Sequence, residues 1–84
     1  MEFRNMDPNG STLQDLVSRI TFDRDVLGGK PIVRGMRISV EMILELLTKG
    51  ATQQEILEDY PDLEAEDIQA SLLYATHLVA GESS

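Results

Sequence analysis

The apolar positions in the second half of the chain recur with helical spacing. Four of them predict one buried stripe at i, i+3, i+4 and i+7: Val40, Ile43, Leu44 and Leu47. Ser39 is a good N-cap for this helix, and Gly50 is a typical residue just past its end. Thr52 and Glu55 then have the spacing of a capping box, which predicts a second helix that Pro61 stops.

A third helix is predicted over roughly residues 65–79. Its apolar face would contain Ala65, Ile68, Leu72, Ala75 and Val79. Gly81 and the serines after it are expected to close the chain outside the helix. Three helices joined by turns of a few residues favour a compact trihelical domain of helix-turn-helix type, which we place in a single domain over residues 19–80.

The first half of the chain is patterned differently. Residues 18–22 alternate polar and apolar side chains, which is typical of a half-buried strand, and Ile32-Val33 favours a second, very short strand. Residues 23–27 suit a single helical turn with Asp23 as its cap and Gly28 as its stop. A short helix is predicted over residues 12–17, after a tail at 1–10, with Ser11 and Gln14 as its capping box. The predicted fold class is therefore mainly α, with a short N-terminal β element before a three-helix bundle.

Charge divides the chain into two unlike halves. The net charge is −8, yet residues 1–38 carry six cations against five acids, whereas residues 50–84 carry eight acids and no Lys or Arg. Such a split indicates two faces for two partners, or an acidic half that serves only as a solvated surface.

The residue types argue against an enzyme and against a metal or cofactor site. The chain has no Cys and a single histidine, His77, so a transition-metal site is not expected. Neighbouring acids such as Glu58-Asp59 and Glu66-Asp67 diverge on a helix, and we interpret them as solvated faces and caps. Gly28-Gly29-Lys30 lacks the spacing of a phosphate-binding loop, and Pro31 removes a donor from it. No signal peptide or apolar run long enough to span a membrane is present, so a cytoplasmic protein is expected.

The stretch 28–39 is the main candidate for a contact surface. Lys30, Arg34 and Arg37 lie in it with no acid between them, and Arg19 and Arg24 are additional candidates. These cations would contact nucleic acid or a protein partner, or else they make dimer contacts or pair with Asp23, Asp25 or helix acids.

Apolar residues outside the main helical stripes suggest self-association. Met42 and Leu46 lie on a neighbouring face of the first predicted helix, where they widen the core or form a strip for a second copy. Leu73, Tyr74 and Leu78 leave the third helix apolar on more than one side. Because small domains often gain stability from oligomerisation, we expect a homodimer.

An ordered set of motifs resembles the domain-of-unknown-function 433 family over about residues 19–77. The motifs are Ile20-Thr21-Phe22-Asp23, Val26-Leu27-Gly28-Gly29-Lys30-Pro31-Ile32-Val33-Arg34-Gly35, Arg37-Ile38-Ser39-Val40, Ile43-Leu44, Gly50, Glu55-Ile56-Leu57, Tyr60-Pro61 and Glu66-Asp67-Ile68. Two positions depart from the family pattern: Met36 stands where Thr is usual, and Glu64 stands where a Thr or Ser would cap the third helix. The resemblance implies a homeodomain-like helical core.

The resemblance also implies a role as an antitoxin of the VapBC class, encoded beside a PIN-like ribonuclease toxin. The acidic half of the chain would then lie across the positive cleft that a nuclease needs for its polyanionic substrate. The alternative is a helix-turn-helix DNA-binding regulator that uses Lys30, Arg34 and Arg37. The second and third predicted helices have no Lys or Arg with which to grip phosphates.

Overall fold

The computed structural model describes residues 13–83, and these form a mainly helical fold with a small sheet near its N-terminal side, as predicted. The helices are α1 (Leu13–Val17), α2 (Val40–Thr48), α3 (Gln53–Asp59) and α4 (Ala65–Ser83), and the strands are β1 (Ile20–Thr21) and β2 (Ile32–Val33). α1 matches the helix expected over 12–17. The tail expected at 1–10 and the capping residue Ser11 lie outside the described residues.

The two strands form a β-hairpin with a long connection over residues 22–31, and the segment after β2 turns back beside it. β1 and β2 are antiparallel, with Ile20 opposite Val33 and Thr21 opposite Ile32. The chain then reverses at residues 33–36, where Arg34 and Gly35 have φ values of 45° and 73°. Positive φ at both central residues is the pattern of a type I′ turn. Ile38 returns beside β2, its carbonyl accepting from the Val33 N–H at 3.0 Å. β2 therefore has neighbours on both sides.

Local capping signals account for the ends of α2 and α3. The Ser39 hydroxyl accepts from the Met42 N–H at 3.0 Å, and the predicted capping box of Thr52 and Glu55 is complete. At the end of α2, Gly50 takes φ 98° and the Ala51 N–H donates to the Leu46 carbonyl. This is the geometry of a Schellman motif, in which a left-handed glycine satisfies the last carbonyls of a helix.

The predicted elements before β2 differ from those observed. Only Ile20 and Thr21 of the predicted strand 18–22 are paired, because Ser18 and Arg19 still complete the turn that follows α1. In place of a helical turn over 23–27, a hydrogen-bonded turn spans residues 23–26, in which the Val26 N–H donates to the Asp23 carbonyl at 2.8 Å. Asp23 caps this turn as predicted, since its carboxylate accepts from the Asp25 N–H at 2.9 Å. A 3-10 turn follows over Leu27–Gly29.

The core is formed by apolar residues from every helix and both strands: Leu16, Ile20, Val33, Val40, Ile43, Ile56, Leu63, Ile68 and Ala70. Both ends of α4 depart from the predicted packing. Its buried face near the start includes Asp67 and Ser71, whereas residues 76–81 are all exposed. The helix also continues through Gly81 to Ser83 instead of ending near residue 79. Helical spacing alone does not show how far along a helix its neighbours reach.

Candidate functional site

Two arginines face each other at the end of the hairpin. Because Ile20 pairs with Val33, the next position outward places Arg19 opposite Arg34, and the Arg34 N–H donates to the Arg19 carbonyl at 2.8 Å. Like charges directly opposite in a sheet are destabilising unless a counter-charge lies between them. The hairpin register therefore creates a requirement for an acid at this position.

Asp67 in the first turn of α4 supplies that acid. Its side chain is 0% exposed. Arg34 holds it with a two-pronged contact, Nε to Oδ1 at 2.9 Å and Nη2 to Oδ2 at 2.7 Å. Arg19 Nη1 also donates to Oδ1, at 2.9 Å. Arg19, Arg34 and Asp67 are called the carboxylate–arginine cluster below, and the cluster fastens the hairpin to α4.

The same carboxylate caps α4. Asp67 Oδ2 accepts from the Glu64 backbone N–H at 2.8 Å, which is the half of a capping box that reaches back to the residue before the helix. Glu64 cannot itself act as the Ser/Thr cap that its position usually carries, and its side chain instead accepts from Arg19 Nη1 at 2.8 Å. Arg34 Nη2 donates to the Asp62 carbonyl at 2.9 Å, so the connection before α4 is held as well.

Electrostatics in the cluster favour the ionised forms of all three groups. Burial by itself would raise the pKa of Asp67, but the hydrogen bonds from Arg34, the Glu64 N–H and Arg19 outweigh it and hold that pKa below its usual range. The pKa of Arg19 is raised chiefly by its hydrogen bond to Glu64, and that of Arg34 chiefly by its hydrogen bond to Asp67. The cluster is therefore a set of charge-assisted hydrogen bonds around one buried anion.

A lowered folded-state pKa makes this contribution sensitive to acid. The pKa of Asp67 is about 3.9 in the unfolded chain and lower in the folded chain. We expect the cluster's stabilisation to be fully present well above that unfolded value and to be lost as pH falls through the folded-state pKa. Urea unfolding at a series of pH values checks this. The difference in unfolding free energy between wild type and Asp67→Asn should be constant above about pH 5 and shrink below it. A difference that stays constant down to about pH 2 would contradict the assignment.

The remaining predicted cations stay on the surface. Lys30 Nζ lies 3.0 Å from Glu41 Oε1, with both side chains mostly exposed, so this pair contributes only about 0–1 kcal/mol and leaves Lys30 accessible. Arg24 and Arg37 are exposed and make no hydrogen bond or ion pair within residues 13–83. Two of the five candidate cations, Arg19 and Arg34, therefore bind Asp67. The other three, which lie exposed at the surface, are Arg24, Lys30 and Arg37.

The sequence left open that these cations pair with helix acids, and Lys30 and Arg34 do so, whereas the interpretation of Asp67 as a solvated residue needs correction. The stretch 28–39 is acid-free in sequence but not in space, because α2 brings Glu41 to Lys30 and α4 brings Asp67 to Arg34. Asp67 is a cap, as expected, but it is not solvated. Two features bring Asp67 between the arginines: the turn in which Arg34 has a positive φ, and the register of β1 against β2. Residue types alone indicate neither of them.

The apolar residues that were candidates for self-association lie on α2 and α4. Met42 and Leu46 are half-buried, and Leu46 packs against the core. An open groove of about 610 Å³ lies between α2 and α4, over Val40, Leu44, Tyr74, Ala75 and Leu78. Charged residues of both signs also line it, namely Lys30, Lys49, Glu41 and Glu45.

The described residues hold no group of His, Cys, Asp and Glu suited to a metal ion. Among residues 13–83, none of the helices has the length and apolar character needed to cross a membrane.

These features define a small, mainly helical domain in which a β-hairpin is fastened to a long helix by a buried carboxylate between two arginines. The chain belongs to the family described as "Protein of unknown function (DUF433)", whose model matches residues 20–75. Arg34 and Asp67 lie inside the matched region, and Arg19 directly precedes it.

Two similar proteins support this assignment. The chain is 38% identical over 56 residues to the uncharacterized protein y4eO of Sinorhizobium fredii, and the match covers 67% of this chain and 25% of that protein. It is also similar to the crystal structure of a DUF433 member protein from Anabaena variabilis, with a TM-score of 0.69 and 34% sequence identity. That match covers 77% of this chain and 64% of the Anabaena chain. The chain thus spans a quarter of the first relative and under two thirds of the second.

Proposed function

We propose that this chain is a protein-binding module of antitoxin type that covers the positively charged cleft of a PIN-like ribonuclease toxin. The antitoxin role is what the family resemblance implies. One observation supports it physically: exposed carboxylates follow one another along α3 and the connection to α4, and residues 50–83 contain no Lys or Arg. These exposed acids are called the acidic segment below, and they are Glu55, Glu58, Asp59, Asp62 and Glu64.

Most of this negative charge is not neutralised within the described part of the chain. Arg19 bridges Glu64 and Asp67, and Arg34 contacts Asp67 and the Asp62 backbone. The side chains of Glu58 and Asp62 make no ion pair there, and the same holds for Asp59. A nuclease binds a polyanion and needs a positive cleft, so an acidic partner would approach it quickly and in a defined orientation.

DNA binding through Lys30, Arg34 and Arg37 has less physical support. The guanidinium of Arg34 already donates two hydrogen bonds to Asp67. α3 and α4 contain carboxylates and no Lys or Arg, so they would repel DNA phosphates rather than bind them. Lys30, Arg37 and Arg24 would have to carry the contact. Three phosphate contacts correspond to a salt slope of only about −3 in log K against log salt.

Co-expression with the product of the neighbouring open reading frame tests the proposal. We expect the two proteins to co-purify and the toxicity of the neighbour to be relieved. A Glu58→Gln/Asp62→Asn variant should bind about tenfold more weakly at low salt, with a slower association rate, because it removes two steering charges.

The matched control is Asp25→Asn/Glu45→Gln, which removes the same number of charges outside the acidic segment and should bind like wild type. Absence of a complex together with unrelieved toxicity would rule the proposal out. A mobility shift on the protein's own upstream DNA that weakens with salt, with a slope of about −3 in log K against log salt, would favour the DNA-binding alternative.

A further inference from the structure

The connection between α3 and α4 carries an unpaired carboxylate on a backbone that is firmly held. We call residues 60–64 the α3–α4 connection. The Asp62 side chain is exposed and makes no ion pair or hydrogen bond within residues 13–83. The Asp62 carbonyl, in contrast, accepts from Arg34 Nη2 at 2.9 Å.

The residues after Asp62 are held as well. Leu63 is only 5% exposed, and its N–H donates to the Tyr60 carbonyl at 2.9 Å. The Glu64 N–H donates to Asp67 Oδ2 at 2.8 Å. A short connection that is tied at three successive residues has little conformational freedom, so its backbone is ordered before any partner binds.

The two acids of the α3–α4 connection present different charges to a partner. The Glu64 carboxylate accepts from Arg19 Nη1 at 2.8 Å, so its charge is partly offset inside the molecule. The Asp62 carboxylate has no counter-ion within the described residues. A basic group that approaches the connection is therefore attracted more strongly to Asp62 than to Glu64.

Arg34 links the Asp62 backbone to the buried anion of the cluster. Its Nη2 atom donates both to the Asp62 carbonyl and to Asp67 Oδ2, while its Nε atom donates to Asp67 Oδ1. The contact requires the planar fork of an arginine, because the single nitrogen of a lysine cannot occupy the Nε and Nη2 positions together.

We propose that Arg34 is a positioning residue for partner binding, a role that rests on the proposed binding to a PIN-like toxin. By fixing the backbone of the α3–α4 connection, Arg34 presents the Asp62 carboxylate to a basic group of the partner in a preset orientation. A segment that is ordered in advance loses less conformational entropy on binding, so Arg34 acts mainly on the lifetime of the complex.

Arg34→Lys tests this role because it leaves the charge of the chain unchanged. Surface plasmon resonance with the purified product of the neighbouring open reading frame measures both rates. The association rate should match wild type, since steering depends on charge, whereas dissociation should be about threefold faster. Asp62→Asn alone should weaken binding about fivefold. Because Arg34 acts through Asp62, the double variant should bind about as weakly as Asp62→Asn, whereas independent losses would give about fifteenfold.

Amide hydrogen exchange of the free chain tests the hold without any partner. In Arg34→Lys, the Leu63 and Glu64 amides should exchange about tenfold faster than in wild type. The Met42 amide, which donates to the Ser39 hydroxyl at the start of α2, should exchange at the wild-type rate.

Ile43→Val is the control for stability, since it weakens the core away from the α3–α4 connection and should bind the partner like wild type. Unchanged exchange at Leu63 and Glu64 would overturn the proposal, and so would independent losses in the double variant. If wild type forms a complex and Arg34→Lys dissociates from it no faster, the role of Arg34 alone is refuted. If wild type forms no complex, the proposed function fails and the role of Arg34 fails with it.

Discussion

Replacing Asp67 with Asn is expected to lower the free energy of unfolding by about 3 kcal/mol, a large part of the roughly 4–13 kcal/mol typical of 84 residues. The substitution keeps the shape of the side chain but removes the buried charge. Arg34 then loses its two-pronged contact and the carboxylate that it pairs with, and Arg19 keeps only Glu64 as a counter-ion. We take the low end of the range for breaking a buried pair because the two arginine side chains are 23% and 36% exposed.

Urea unfolding at neutral pH measures this effect. Asp62→Asn is the matched control, since it makes the same chemical change at an exposed carboxylate two residues before Glu64, and it should change stability by less than about 0.5 kcal/mol. Equal destabilisation by the two variants would show that Asp67 is not the centre of the network.

A triple replacement distinguishes two causes of the destabilisation in Asp67→Asn, the loss of hydrogen bonds and the loss of the charge that neutralises the arginines. Arg19→Met/Arg34→Met/Asp67→Leu removes all three charges together, and buried ion pairs replaced by apolar residues are often neutral or stabilising. We therefore expect the triple variant to be more stable than Asp67→Asn, although it removes more hydrogen bonds. The destabilisation in Asp67→Asn would then come from uncompensated arginine charge.

Replacing Ile43 with Ala is expected to cost about 3 kcal/mol through the core. Ile43 is 0% exposed on α2, in the cluster of buried residues that joins α2 to α3 and α4. Truncation removes buried methyl and methylene groups and leaves a cavity that the surrounding helices refill only in part. Thermal or urea unfolding measures the loss, which in a domain this small is a large share of the total.

Ile43→Val is the graded control for this effect. It removes one methylene group and should cost about 0.5–1.5 kcal/mol. A loss with Ala no larger than the loss with Val would mean that the site collapses around the smaller side chain, and that α2 is less firmly packed than its burial indicates.

The two kinds of substitution test different parts of the molecule. Ile43 lies in apolar packing among the helices, whereas Asp67 connects the hairpin to α4 through charge. The effect of Asp67→Asn should therefore diminish at low pH, and that of Ile43→Ala should not, because no titrating group contributes to it.

The sequence alone determined the features that depend on near neighbours. Ser39, the Thr52/Glu55 capping box and Gly50 set the helix ends, and each acts on backbone groups within about four residues of itself. The helical apolar spacing likewise predicted the buried face of α2, and the ordered motifs indicated the family. These signals are readable because both partners lie in the same short segment.

Tertiary structure alone decided the carboxylate–arginine cluster and the exposed end of α4. Asp67 lies 33 residues from Arg34 and 48 from Arg19, and they meet only because the hairpin register and the placement of α4 bring them together. The spacing of Ile68, Leu72 and Val79 predicts one continuous buried face, yet Ile68 is buried and Leu72 is half exposed. Periodicity specifies which side of a helix is apolar. A side chain on that side is buried only where another element packs against the same part of the helix, and the elements that pack against α4 cover only its first turns.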